Sequence, residues 1–360
     1  MRNILLKLKE VASEAPSKTV KYIRKFTKIN LIQNKNYLLL ITFFIAVLSI
    51  SSRLTISGYV YNLDYKLFQP DGGNYLKFTK DILDFKINES TVYAWTRPLY
   101  PLLSVPFYYL LGKYGMLAIP ILSVVMIGFI LQLIGKNIKQ KFIALIIFAI
   151  LTSSSTFMRW NVADLTDSLH LLLFAYCCLL IMNDSKLIPL LIVAFLGSIT
   201  RPMGPIWAAL FLVHANNKKN SEKKYFYLLF LLALIFFVLN FLIMAKYNGI
   251  GTNPRSLSEQ ILGFPFKFFS IFAVELGQIA VLDRILFYFV ITSTFIAILN
   301  LKDVWSRAHL AVCLSSFFIS AWIGVYGVNF RYQLPILITS AIVVMSNFKI
   351  SLRFFDSTHQ

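Results

Sequence analysis

Residues 115–134, GMLAIPILSVVMIGFILQLI, carry no charged side chain and decide the fold class. A helix of this length spans the hydrocarbon core of a bilayer, which is about 30 Å thick. Comparable apolar runs recur from Tyr37 to Asn347, and 14% of the 360 residues are charged. Soluble domains carry about a quarter charged residues, so the sequence predicts an all-α polytopic membrane protein.

The apolar runs predict about ten transmembrane helices. They lie near residues 37–52, 115–134, 142–157, 169–183, 187–200, 204–215, 225–245, 285–300, 310–327 and 334–347. Two further runs, 98–112 and 262–282, would move basic loops to the opposite side if they crossed the membrane. Since 98–112 also contains three prolines, we predict that both runs lie at, or dip into, the outer leaflet.

The distribution of basic residues predicts the orientation. Loops and termini at one side of these helices hold 21 of the 35 Lys and Arg residues, and the positive-inside rule assigns that side to the cytoplasm. The chain then divides into a basic cytoplasmic segment 1–36, a transmembrane domain 37–347 whose first outer loop is 53–114, and a cytoplasmic tail 348–360. We expect the protein to lie in a bacterial plasma membrane.

The net charge of +19 does not indicate a nucleic-acid partner, because the charge is divided among short loops rather than gathered on one face.

The spacing of cysteines and histidines does not indicate a zinc site. Cys177, Cys178 and Cys313 fall in apolar runs and are predicted to pack as small buried residues. His170 and Trp207 stand at the heads of predicted spans, where we expect them to face the outer interface.

Charged residues at the edges of the apolar runs indicate a site on the outer face. Three are arginines: Arg97, Arg201 and Arg331. An acidic set lies in the short polar stretches beside them: Asp71, Asp164 and Asp167. A charged side chain at a bilayer boundary is unfavourable unless it pairs with an opposite charge or takes part in a function. Each arginine alone is explained by its side chain reaching the headgroups, but three on one face favour a function.

Such a set suits the transfer of a sugar from a lipid phosphate to a hydroxyl group. A carboxylate can take the proton of the acceptor, and guanidinium groups stabilise the charge that develops on the leaving phosphate. Asp71 is the candidate base. Arg201 and Arg331 are the leading candidates for phosphate binding, followed by Arg97 and Tyr332.

The first outer loop reads FQPDGGNY over residues 68–75. Its Pro-Asp-Gly-Gly predicts a turn, with Asp71 just ahead of a short interfacial helix. The apolar face of that helix is predicted at Leu76, Thr79, Ile82 and Leu83. An aspartate in such a turn equally suits a helix cap, which remains the alternative for Asp71.

Asp164 and Asp167 stand three residues apart before a Leu-rich run, a spacing that places both on one helix face. They are candidates for binding the acceptor or a divalent cation, Mg²⁺ or Mn²⁺. The alternative is that they cap the helix and pair with Arg159. Glu275 in the fourth outer loop either reaches the site or pairs with Lys267.

The order of these motifs resembles the GT-C superfamily of membrane glycosyltransferases, which use polyprenyl-phosphate sugars. This group includes protein O-mannosyltransferases and the lipid A aminoarabinose transferase. An Asp with Tyr75 soon after it, a short helix and the Pro-rich run from Arg97 resemble the family's first outer loop. RWNVADLTD (159–167), TRPMGP (200–205) and FRYQLP (330–335) resemble its second outer loop, its Lys/Arg-Gly/Pro turn and its late Arg-Tyr-x-x-Pro element.

The resemblance covers about residues 37–347 and implies a donor, an acceptor and a site. The donor would be a polyprenyl-phosphate sugar, and the acceptor a glycan, lipid or protein of the cell envelope. One departure is that Gly72 follows Asp71, where the family commonly has Asp-Glu. If the paired acid binds a metal, that role is absent here or has moved elsewhere.

Two other function classes fit the same residues. A transporter or flippase of a lipid-linked saccharide would use the same arginines, with inverted repeats and broken helices near the midplane. An envelope polysaccharide polymerase or ligase would need the same phosphate binding, with donor and acceptor both lipid-linked.

Overall fold

The computed structural model describes residues 35–60, 70–86, 96–218, 220–246, 283–323 and 332–347. These residues form helices joined by short turns, and no strand occurs among them. The chain divides into two compact units, residues 1–41 and 42–360. The described part of the first unit is the beginning of helix α1, and the second unit contains the candidate site.

The helices follow the apolar runs of the sequence. They are α1 (Lys35–Val60), α2 (Pro70–Leu83), α3 (Leu99–Leu111), a 3₁₀ helix (Gly112–Leu117), α4 (Ala118–Asn137), α5 (Lys141–Ser153), α6 (Ser155–Asn161), α7 (Asp167–Met182), α8 (Leu187–Thr200), α9 (Gly204–Ala215), α10 (Asn220–Lys246), α11 (Arg284–Leu299), α12 (Val304–Ile323) and α13 (Leu334–Asn347). Each predicted span overlaps at least one of them. The free cysteines Cys177, Cys178 and Cys313 are buried, as expected for packing residues.

Two described stretches are long and apolar enough to cross a membrane, Tyr37–Thr55 and Leu99–Asn137. A third candidate is the bent pair α5 and α6, and six other helices are apolar but shorter. These helices indicate a membrane protein. The prediction of about ten crossings stays a prediction.

The stretch Leu99–Asn137 is not one straight rod, because the chain reverses near Gly112. Tyr100 Oη donates to the carbonyl oxygen of Met116 at 2.7 Å, although 16 residues separate them. A continuous helix would place these residues about 24 Å apart. Gly112 has φ +58°, a conformation that glycine adopts at little cost. Run 98–112 is therefore a helix distinct from α4; its position at the outer leaflet stays a prediction.

The predicted span 142–157 is broken. Helices α5 and α6 meet at an angle of 80°, and the Ser154 hydroxyl accepts from the Phe157 amide at 3.0 Å to cap α6. The sequence here is Thr-Ser-Ser-Ser-Thr, and serine favours helix ends over helix interiors because its hydroxyl replaces a backbone partner. The bend turns Arg159 and Trp160 away from the line of α5.

The Pro-Asp-Gly-Gly segment is the first turn of α2, not a turn ahead of it. Proline suits this place because the first amides of a helix have no partner within the helix. Of the predicted apolar face of α2, Thr79 is buried, whereas Leu76, Ile82 and Leu83 are only half-buried. The buried residues of α2 are Gly72, Tyr75, Phe78, Thr79 and Asp81. Aromatic packing against α3 outweighs the aliphatic pattern.

The turns that follow α4, α7, α9 and α11 lie at one end of the second unit. Side-chain hydrogen bonds join these turns to one another and to α12 and α13: Asn137 to Asn183, Lys218 to Asp184, Arg307 to Asn217 and Asn300 to Asn347. Burial lowers the pKa of Lys218, but Asp184 and Glu222 raise it above its ordinary value. The basic turns therefore share one end, as the charge pattern predicted; which side of a membrane they face stays a prediction.

Helices α11, α12 and α13 share a line of polar side chains, called here the polar seam: Ser293, Thr294, Ser306, His309, Ser316, Ser320, Thr339 and Ser340. His309 Nε2 lies 3.0 Å from the Thr294 hydroxyl, and its Nδ1 lies 2.9 Å from the Thr339 hydroxyl. Ser293 donates to Ser340 at 2.8 Å. Between apolar helices in lipid, such bonds join the helices where a hydrophobic driving force is weak.

Candidate functional site

The centre of the candidate site is an ion pair between Arg201 and Asp167. Arg201 lies in the turn between α8 and α9, and Asp167 is the first residue of α7. Arg201 Nη1 donates to Asp167 Oδ1, and both side chains are within 1% of complete burial. The Arg201 guanidinium also lies 4.8 Å from the centre of the Tyr332 ring. The structure thus brings three of the predicted residues together from distant parts of the chain.

A second set of buried side chains supports the turn that carries Arg201. Trp207 Nε1 donates to His170 Nε2 at 3.0 Å, so Nε2 carries no proton. A Cβ added at Gly197 would overlap the Trp207 indole. Trp207 and His170 are therefore core residues, contrary to the expectation that they face the interface. The ring packs against Gly197 because that position has no side chain.

Asp164 lies against the first turn of α2. A Cβ added at Gly72 would coincide with the Asp164 carboxylate, so residue 72 has to be glycine while Asp164 occupies that space. The Asp164 carboxylate therefore occupies the space that a side chain at position 72 would fill. Asp71 precedes Gly72 in α2, and its side chain is not among those that the structure describes.

Arg97 and the tyrosines form a layer between α2 and α3. Arg97 is 5% exposed, and its Nη1 donates to Tyr75 Oη at 3.2 Å. The Tyr75 and Tyr100 rings meet edge to face with centres 5.4 Å apart. Thr79 Oγ1 lies 3.4 Å from the Pro101 carbonyl oxygen. Arg97 is thus buried in protein, although its sequence position also suited contact with headgroups.

Asp164 and Asp167 do not share one helix face. Helix α7 begins at Asp167, and residues 162–166 form a bend before it, so the two carboxylates turn towards α2 and Arg201 respectively. Among the described residues, no three His, Cys, Asp or Glu side chains lie close enough to hold a metal ion. The alternative pairing with Arg159 is wrong for Asp167, because the partner of Asp167 is Arg201.

The remaining predicted residues are not part of the described arrangement. Arg159 is exposed and lies over the ring of its neighbour Trp160 at 5.2 Å. Arg331 and Glu275 lie outside the described residues. Their predicted roles stay predictions.

The close contact at Gly72 was not predicted from the sequence. Glycine is unfavourable inside a helix by about 1 kcal/mol relative to alanine, and α2 has two glycines in its first turn. Such a doublet is a signal of close approach by another group. The partner itself, Asp164, was not readable from the sequence. Comparison of the chain with protein-family models, curated proteins and solved structures finds no match.

Proposed function

We propose that the protein is an integral-membrane glycosyltransferase that moves a sugar from a polyprenyl-phosphate donor to a glycan, lipid or protein acceptor of the cell envelope. Arg201 carries the proposal. Its guanidinium is buried between a carboxylate and an aromatic ring, at the polar ends of apolar helices. In the part of the chain that the structure describes, Arg201 Nε has no hydrogen-bond partner. A planar guanidinium with a spare donor suits the oxygens of a lipid phosphate.

The proposed base comes from α2. Asp71 precedes Gly72, against which the Asp164 carboxylate lies. In the proposed reaction Asp71 takes the proton of the acceptor hydroxyl, and Arg201, Arg331 and Arg97 stabilise the leaving phosphate. Asp164 sets the position of the first turn of α2, and so of Asp71.

The proposal includes a topology of about ten crossings with both termini in the bacterial cytoplasm. The shared end of the basic turns supports it, since Lys218 and Arg307 contact neighbouring turns there. Arg201 and Asp167 lie at the other ends of α8 and α7. The reaction then takes place on the outer face.

The test is transfer of radiolabelled sugar from synthetic polyprenyl-phosphate sugars by the purified protein beside its Asp71→Asn variant. We expect the wild type to release label from the lipid to an acceptor, and the variant to lose turnover by a factor of at least about 10² while still inserting in the membrane. Normal turnover by the variant would remove Asp71 from the mechanism.

A divalent cation, Mg²⁺ or Mn²⁺, would have to use Asp71 and Asp164, because Asp167 is committed to Arg201. We therefore expect EDTA to leave turnover unchanged. Loss of turnover in EDTA that Mg²⁺ or Mn²⁺ restores would instead place a cation at these two acids.

A transporter or flippase of a lipid-linked saccharide is the second candidate. The polar seam supports it, because Ser306 and Ser320 of one α12 face are both buried and lie about 21 Å apart along the helix. A line of polar groups of that length suits a path through a membrane. Movement of labelled lipid across a vesicle bilayer without sugar transfer would favour this candidate.

A further inference from the structure

Residues 161–168 and Arg201 hold four of the buried polar side-chain atoms that make no hydrogen bond within the described residues. They are Asn161 Oδ1, Thr166 Oγ1, Ser168 Oγ and Arg201 Nε. Asn161, Thr166 and Ser168 are completely buried, and Arg201 is 1% exposed. The partner of Arg201, Asp167, lies between Thr166 and Ser168 in the chain.

Such atoms are unfavourable for folding. A buried polar group that makes no hydrogen bond costs about 1–3 kcal/mol, and folded proteins leave few of them. Thr166 is the N-cap of α7, yet its hydroxyl makes no capping bond. A threonine in this position usually caps the helix, so its hydroxyl is left for another partner.

The hydrogen-bonding character of these atoms selects the chemistry of that partner. The Asn161 carbonyl oxygen only accepts, Arg201 Nε only donates, and the two hydroxyls do either. A phosphate accepts from Arg201 Nε but offers no donor to the Asn161 oxygen. A sugar ring offers hydroxyls, each of which donates and accepts, and so satisfies the Asn161 oxygen and the two hydroxyls.

We propose that residues 161–168 bind the sugar ring of the donor through its hydroxyl groups, while Arg201 binds the phosphate that carries the sugar. This inference rests on the proposed function in that the sugar is the one carried by the polyprenyl phosphate. Since the four atoms are buried, the residues that cover them have to move apart before the donor reaches them.

The test uses the full-length protein in nanodiscs and the variants Thr166→Val and Ser168→Ala. Each removes one hydroxyl with little change of shape. The probes are polyprenyl phosphate alone and polyprenyl-phosphate pentoses and hexoses, with affinity measured directly. We expect each variant to bind the preferred sugar-bearing lipid about three- to tenfold more weakly, and to bind the lipid phosphate without sugar as the wild type does.

Stability of the protein without ligand is the second readout. If the hydroxyls have no partner in the protein, their removal leaves the thermal midpoint unchanged or raises it. Thr152→Val is the matched control, because the buried Thr152 hydroxyl donates to the Phe148 carbonyl oxygen at 2.9 Å. That variant should lower the midpoint and leave lipid affinity unchanged.

Three results would overturn the inference: unchanged affinity in both site variants, equal losses for lipids with and without sugar, or lowered midpoints that show the hydroxyls to be structural. The proposed function fails differently. If the wild-type protein prefers the sugar-bearing lipid but transfers no sugar, the sugar-binding site is supported and the transferase function is contradicted.

Discussion

At the scale of single residues, the Arg201–Asp167 pair governs the candidate site. Removing either charge from water costs several kcal/mol, so a buried ion is stable only beside its partner. The pair joins α7 to the turn between α8 and α9, and Tyr332 stacks on the cation from the start of α13. A single guanidinium therefore holds three parts of the chain in position and still has Nε for a ligand.

Replacing Arg201 by alanine should destabilise the protein by about 3–5 kcal/mol, because Asp167 is left as an uncompensated buried charge. Chemical unfolding in detergent measures this loss. The double variant Arg201→Met with Asp167→Leu should regain most of the stability and still lack sugar transfer. Recovery of transfer in that double variant would contradict a direct role for Arg201.

Gly72→Ala should abolish most turnover, since the new Cβ takes the space of the Asp164 carboxylate. Gly73→Ala is the matched control, because a Cβ there meets nothing within 4 Å. Alanine at 73 should stabilise α2 by up to about 1 kcal/mol and leave turnover unchanged. The measurement is the steady-state rate of sugar transfer by the two variants. Equal rates would show that contact between Asp164 and α2 is not needed for transfer.

At the scale of elements, local polar residues decide where apolar runs break. The run from Lys141 is apolar enough to continue, but Ser154 caps a new helix and the chain turns by 80°. This bend comes just before residues 162–166, from which Asp164 meets α2. Without the bend, the chain would continue along the axis of α5, and Asp164 and Asp167 would not meet Gly72 and Arg201.

Ser154→Ala should lower the free energy of unfolding by about 1 kcal/mol, the usual contribution of an N-cap hydroxyl. Ser153→Ala is the control, because the exposed Ser153 hydroxyl donates only to the Ile150 carbonyl oxygen of its own helix. Thermal unfolding of both variants is the measurement. Equal midpoints would indicate that packing, rather than the cap, sets the bend.

At the scale of the whole molecule, the second unit has two chemically different ends. One end carries the basic turns joined by Lys218 and Arg307. The other carries the Arg201–Asp167 pair and the contact of Asp164 with α2. A membrane across these helices would separate a basic face from a face with balanced, buried charges.

Cysteines placed at the two ends should react from opposite sides of the membrane. Lys186→Cys and Lys302→Cys lie in exposed basic turns, and Lys113→Cys lies in the exposed reversal after α3. With a membrane-impermeant thiol reagent on intact cells, we expect labelling at 113 alone, and labelling at 186 and 302 only after lysis. The native cysteines are buried and provide a low background. Labelling of all three positions from one side would contradict the proposed topology.

The sequence by itself determined where helices form and which residues are candidates for the site. Long uncharged runs such as 115–134 form helices in lipid because only a helix satisfies every backbone group within the segment. Charges at the ends of such runs stand out because a charged side chain is costly in a membrane. Arg97, Arg201, Asp164 and Asp167 were therefore recognisable one by one.

Only the tertiary structure decided which of these charges meet. Asp167 and Arg201 are 34 residues apart, and Asp164 meets a glycine of α2 rather than sharing a helix face with Asp167. Such pairings depend on how helices pack against one another, and local sequence patterns contain no information on that packing. The sequence thus supplied the members of the site, and the packing of α2, α7, α8 and α13 assembled them.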